Sequence, residues 1–297
     1  MAKDILKKIA EPSLQVVGYV VLAVMFLYIL TPLVWMFLTA FNPEGGPFLE
    51  LPKEFTLDNF IMIFTGGPIK GRAGAAHPFY MSRWIQNSLF IASVALLLVV
   101  TMASMAAYSL SRLDFPGKSL LMTFILLIGF MPSMAKILPL FKLCLMFGFV
   151  DNLFGVAVVI ASSILPTQIW ILKGFFDSIP RELEEQAWVC GCGWFTTLMR
   201  VVLPVAGPGI AVVALLSFLG AWGSFTIPLI LIRSEDLYPI SLGIASVFVH
   251  NPGEIGLAVD YGPLCALSIV YAIPSLVIYY LTRKYLMQVR LGKMEVR

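Results

Sequence analysis

The chain has 297 residues, of which 59% are hydrophobic and 12% charged, with a formal net charge of +3 and a mean hydropathy of +0.91. Soluble domains carry about 25% charged residues, so a water-soluble fold of this length is excluded and lipid must be the solvent for much of the chain. The basic residues form no single stripe, which removes the case for nucleic-acid binding.

In chain order, six stretches are apolar over about the 20 residues that a spanning helix needs. They run near 18–41, 84–110, 120–145, 153–176, 209–232 and 263–281. The first is too long for a signal-peptide core and has no small-x-small cleavage site directly after it, so it reads as a retained anchor. The third is interrupted by Pro132, Lys136, Pro139 and Lys142, which leaves a kinked helix or an interfacial turn. The fold class expected is an all-α membrane protein with six transmembrane helices: an N-terminal segment 1–17, a membrane domain 18–285 with a long inner loop 176–208, and a tail 286–297.

Lysine and arginine placement sets the orientation. With the N-terminus in the cytoplasm, only Lys53, Lys70, Arg72, Arg83, Lys136, Lys142 and Arg233 of the 20 lysines and arginines fall outside or near the outer interface. Both termini are therefore expected inside. Residues 42–83, rich in Gly and Pro, and 233–262 become outer loops. Cys144, Cys190, Cys192 and Cys265 make neither a disulfide framework nor a zinc pattern and read as small fillers. His77 and His250 both fall in loops, which leaves no basis for a histidine metal centre.

The inner loop carries the most information. Ser178 is a candidate helix cap, Pro180 a candidate first-turn residue, and Glu182, Glu184 and Glu185 crowd a helix N-terminus, where the dipole favours acids. Leu183, Ala187 and Val189 alternate with polar residues, Gly191 and Gly193 break the helix, and a second amphipathic piece runs from Trp194 to Val202 before Leu203-Pro204. Such a helix–Gly–helix unit is either a docking element for a cytosolic partner or a solvated connector on the membrane surface.

Glu185, Ala187, Gly191 and Leu203-Pro204 resemble the E-A-A-x-x-x-G … L-P loop of ABC importer permeases, with Gln186 in place of the first alanine, Cys190 where aspartate is usual and Cys192 where alanine is usual. The string Ala106-Ala107-Tyr108-Ser109-Leu110-Ser111-Arg112-Leu113-Asp114-Phe115-Pro116-Gly117-Lys118 resembles the A-A-Y-A-x-x-R-x-x-F-P-G-[KR] signature of the MalG-like carbohydrate subfamily. Asn87-Ser88-Leu89 is similar to the subfamily's N-S-L, and residues 218–229 to its F-x-x-x-W-N-x-F-x-x-P-L, with Gly223 replacing the asparagine. The tail, ending Met294-Glu295-Val296-Arg297, departs from the subfamily pattern.

The resemblance implies a type I ABC importer permease in a prokaryotic plasma membrane. It implies a second homologous permease subunit, two ATPase subunits (or a homodimer of one) that bind ATP and Mg, and an extracytoplasmic solute-binding protein. No cofactor is expected in this chain. The coupling residues implied are Glu182, Glu184, Glu185, Gln186, Ala187 and Gly191, with Glu185 positioning the loop by hydrogen bonding. No G-x-x-x-x-G-K-[ST] pattern is present, so ATP hydrolysis by that route must come from partners.

Asn87, Gln168, Trp222 and Ser224 are polar or aromatic residues inside expected spans, a chemistry that suits a sugar and equally suits helix packing. A secondary transporter would need an acid within a span, and none falls clearly inside one. A channel would not need the inner helix–Gly–helix unit. An intramembrane enzyme would need a nucleophile–base pair or metal cluster that the spans lack.

Overall fold

A computed structural model describes residues 2–65, 81–249 and 261–292. His77, His250 and most of the outer segment 247–260 lie outside the described residues, as does the end of the tail. All regular structure in the described residues is helical. In chain order it runs α1 (Ala2–Ala40), α2 (Asp58–Thr65), α3 (Met81–Arg112), α4 (Lys118–Phe130), α5 (Ser133–Met146), α6 (Leu153–Asp177), α7 (Glu182–Val189), α8 (Trp194–Thr197), a π-helical turn Leu198–Val202, α9 (Leu203–Val205), α10 (Gly207–Trp222), α11 (Thr226–Leu231), a 3-10 turn Glu235–Leu237, α12 (Ile240–Val249) and α13 (Tyr261–Gly292). Four helical segments (Gln15–Ala40, Met81–Arg112, Leu153–Asp177 and Tyr261–Tyr285) are long and apolar enough to cross a membrane, and two bent pairs raise this to as many as six.

The chain divides into two compact units, residues 1–79 with 251–270, and 80–250 with 271–297. In the first, Asn59 on α2 is buried and its Nδ2 donates to the carbonyls of Ala40 and Asn42, both at 3.0 Å, which closes the end of α1. Gly262 lies so close that an added Cβ would sit 2.7 Å from the Asn59 amide. Trp35 meets Tyr261 edge-on at 6.1 Å. From Gln15 to Val34, α1 is exposed on every side although almost wholly apolar. In water that would be a severe liability, but in a bilayer it is the ordinary state of a spanning helix.

The second unit is built on α3, α6 and α10. Ala92, Ala95, Val99, Ala103 and Ala107 recur every three or four residues along α3 and are fully buried, a small-residue face that lets another helix approach closely. Val156, Ala157, Ile160 and Ala161 are buried on α6. Gly209 brings α10 so near α6 that a Cβ there would lie 2.4 Å from the Phe175 ring. The start of α12 is tied to α3: Ile240 N–H donates to Ser88 Oγ at 2.8 Å, and Gly243 lies against the Trp84 indole.

The third apolar stretch is α4 and α5, bent by 98°. Pro132 accounts for the bend: it disfavours helical geometry at Met131, which is extended at φ −61°, ψ 128°. The fifth stretch, expected as one helix over 209–232, is broken instead. Helix α10 ends at Trp222, Gly223–Phe225 turn the chain, and α11 follows. The expectation failed because Gly223-Ser224 ends the hydrogen-bond ladder inside a sequence that is apolar on both sides.

Candidate functional site

The segment between α6 and α10 is held by the ends of α3 and α6. Ser178 terminates α6 rather than capping α7: its hydroxyl donates to Phe175 O at 2.7 Å. Pro180 lies ahead of α7, which starts at Glu182 with three acids in its first turn, at the positive end of its dipole. Helix α7 ends in a complete Schellman arrangement. Gly191 N–H donates to Trp188 O at 2.9 Å and Cys192 N–H to Ala187 O at 3.0 Å, with Gly191 left-handed at φ 82°.

Of the three acids, Glu184 is the one folded inward, with 1% of its surface exposed. Its carboxylate accepts from Arg112 Nε at 2.5 Å and from Tyr108 Oη at 2.9 Å. Tyr108 and Arg112 lie one helical turn apart at the end of α3, so both face α7. The Arg112 guanidinium also donates to Ile179 O at 3.1 Å and to Ser111 Oγ at 3.2 Å. Ser111 donates to Asp177 at 2.6 Å, and Lys173 pairs with the other Asp177 oxygen at 2.6 Å. Trp194 at the start of α8 packs edge-on against Tyr108, which meets Phe176 in the same way. The chain Lys173–Asp177–Ser111–Arg112–Glu184–Tyr108 thus fastens α7 to both long helices.

Glu182, Glu185, Gln186 and Gly191 are exposed and Ala187 is half-buried. Among the described residues, the hydrogen bonding that positions the loop within the chain runs through Glu184, and Glu185 is exposed. The reason is geometric: the face of α7 turned to α3 carries residue 184, and 185 is rotated away by 100°. Trp188 and Val189 are exposed apolar residues on the same helix, Val189 at 89%. Tyr108, Ser111, Arg112, Lys173 and Asp177 were not among the residues expected to serve this loop, although Tyr108, Ser111 and Arg112 lie in the signature string.

The four candidate path residues have different surroundings. Asn87 Nδ2 donates to Asp236 O at 2.8 Å and Tyr238 O at 3.1 Å. Trp222 stacks between Phe218 and Tyr271, and its Nε1 donates to Tyr271 O at 3.1 Å. In both, the donor is satisfied inside the chain. Gln168 is buried on α6 with Oε1 unpartnered among the described residues. Ser224 is half-buried in the turn after α10, where its carbonyl accepts from Ser241 Oγ at 2.8 Å. No group of three or more His, Cys, Asp and Glu able to hold a metal occurs among the described residues.

Long apolar helices, exposed apolar side chains on α1, α4 and α13, and a short helix fastened to the ends of two spans define a multi-pass helical membrane protein with a surface outside its spans. The chain belongs to the family described as binding-protein-dependent transport system inner membrane component, whose model matches residues 99–286. It is therefore a transport permease and not a catalytic domain. It is 28% identical over 290 residues to the trehalose/maltose transport system permease protein MalG of Thermococcus litoralis, covering 96% of each chain. It is 29% identical to the diacetylchitobiose uptake system permease protein NgcG of Streptomyces coelicolor, covering 89% of this chain and 83% of that one. Among solved structures, it superposes with a TM-score of 0.78 on a chain of a bacterial ABC transporter involved in the import of the acidic polysaccharide alginate. There the identity is 19% over 93% of this chain and 98% of that chain, and the likeness is one of fold.

Proposed function

We propose that this chain is the MalG-like permease subunit of an ATP-driven sugar importer, forming half of a translocation path with a second, homologous permease. The observation that carries the coupling part of this reading is the division of α7: Glu184 locked inward, and Glu182, Glu185, Gln186, Trp188 and Val189 left exposed. A membrane protein gains little from holding such a face in water unless a partner covers it. In this reading an ATPase subunit in trans seats α7, and its ATP-driven movement passes through Glu184–Arg112 into α3 and through Asp177 into α6. The pore is then biased between inward- and outward-facing states by differential partner binding.

The sugar assignment is supported by the relatives named for trehalose/maltose transport and diacetylchitobiose uptake. Its location is a prokaryotic inner membrane with both termini cytoplasmic. The test is a tagged purification in mild detergent from the native cell, with mass spectrometry of what accompanies the chain. An ATPase, a second permease and a solute-binding protein are the expected companions. Recovery of the chain alone, with uptake indifferent to Gly191→Asp, would favour a stand-alone transporter.

A further inference from the structure

A cavity of about 340 Å³ lies between the α4–α5 bend, α6 and α11. Its walls are mostly apolar, but they include Lys136 in the first turn of α5, Ser163 midway along α6, and Thr226 at the start of α11. Three features make Lys136 unusual. It is the one cation among the residues lining a mostly apolar cavity. It stands at a helix N-terminus, the end at which the dipole disfavours a cation. Among the described residues its ammonium has no ion pair or hydrogen bond, and no carboxylate lines the cavity.

We propose that this cavity is a subsite for an anionic group, a carboxylate or phosphate, with Lys136 as its counter-ion, and that the group belongs to an acidic sugar unit of the transported solute. This last step rests on the sugar-importer reading above. The surroundings suit such a unit. The Thr226 hydroxyl makes no hydrogen bond among the described residues, and the Phe141 ring offers an apolar face. The Ser163 hydroxyl donates to Val159 O at 3.1 Å and keeps its acceptor lone pairs. The volume sits at the low end of the roughly 300–1,000 Å³ of small-molecule sites, room for a single sugar unit.

The test uses the purified complex in phosphatidylcholine nanodiscs. Lys136 is labelled with an amine-reactive reagent and its modification is read by peptide mass spectrometry, with Lys53, at 91% side-chain exposure, as the internal control. Trigalacturonate should slow labelling of Lys136 about tenfold, the scale of one charge-assisted contact, and leave Lys53 unchanged. Maltotriose should have little effect. Protection by phosphatidylglycerol discs without any sugar would uphold the anion site and assign it to a lipid headgroup. Binding of fluorescent trigalacturonate should lose its preference over the neutral sugar in Lys136→Met and keep it in Lys136→Arg. Equal protection by both sugars, or an acidic preference that survives in Lys136→Met, overturns the inference. Continued maltotriose uptake in that case leaves the sugar-importer reading standing.

Discussion

Glu184 and Glu185 are neighbours with opposite fates, and mutation should separate them. Removing one partner of a buried ion pair leaves the other charge uncompensated and costs about 3–5 kcal/mol. Glu184→Ala and Arg112→Ala should each lower the thermal midpoint of the detergent-solubilised protein and open the segment between α6 and α10 to protease. Glu185→Ala should stay within about 0.5 kcal/mol of the parent, as surface changes do, and weaken ATPase recruitment instead. Gly191 offers a second contrast. A Cβ there meets no atom of this chain within 4 Å, and only the positive φ opposes it. Aspartate tolerates that conformation better than most residues, so Gly191→Asp should insert normally and lose transport, measured as uptake at matched expression. The sequence marked Tyr108 and Arg112 as part of a signature and the three glutamates as a cluster. Which glutamate faces α3 depends on how α7 approaches it, and an eight-residue helix with polar residues on several sides does not encode that.

At the level of elements, the close approach of α10 to α6 depends on Gly209. Gly209→Val should cut the yield of folded protein sharply, because its Cβ would overlap the Phe175 ring, whereas Gly207→Ala, with nothing within 4 Å, should be tolerated. The loop before α6 makes a separate tie. The Asp151 carboxylate accepts from the Ser234 hydroxyl and from the backbone N–H groups of Ser234 at 3.0 Å and Arg233 at 3.1 Å. The Ser234 hydroxyl, then its backbone N–H, hold this carboxyl below its ordinary value. A depressed folded-state value means that the tie stabilises above the ordinary aspartate range near 3.9 and is lost as pH falls through the folded value. Thermal midpoints should therefore differ between the parent and Asp151→Asn at pH 6 and converge below about pH 3. The bend of the third stretch was legible because Pro132 announces it. The break at Gly223–Phe225 was not, since hydropathy averages over a short turn flanked by apolar residues.

For the whole molecule, composition already required a membrane, and lysine and arginine placement predicts the orientation. That orientation has a direct check. Cys190 is exposed beside α7, Cys192 is half-buried, and Cys144 and Cys265 are buried. A membrane-impermeant thiol reagent should label Cys190 in inside-out vesicles and not in intact cells; labelling from the outer side would invert the topology. The arrangement of α7 has an evolutionary corollary. In the proposed reading, the polar grip of α7 on the membrane helices runs through Glu184 to Arg112 and Tyr108, so substitutions at 182, 185, 186, 188 and 189 change which ATPase is recognised and leave that grip intact. Grafting those five positions from a relative should redirect the chain to that relative's ATPase, making energy supply an exchangeable module on an unaltered pore.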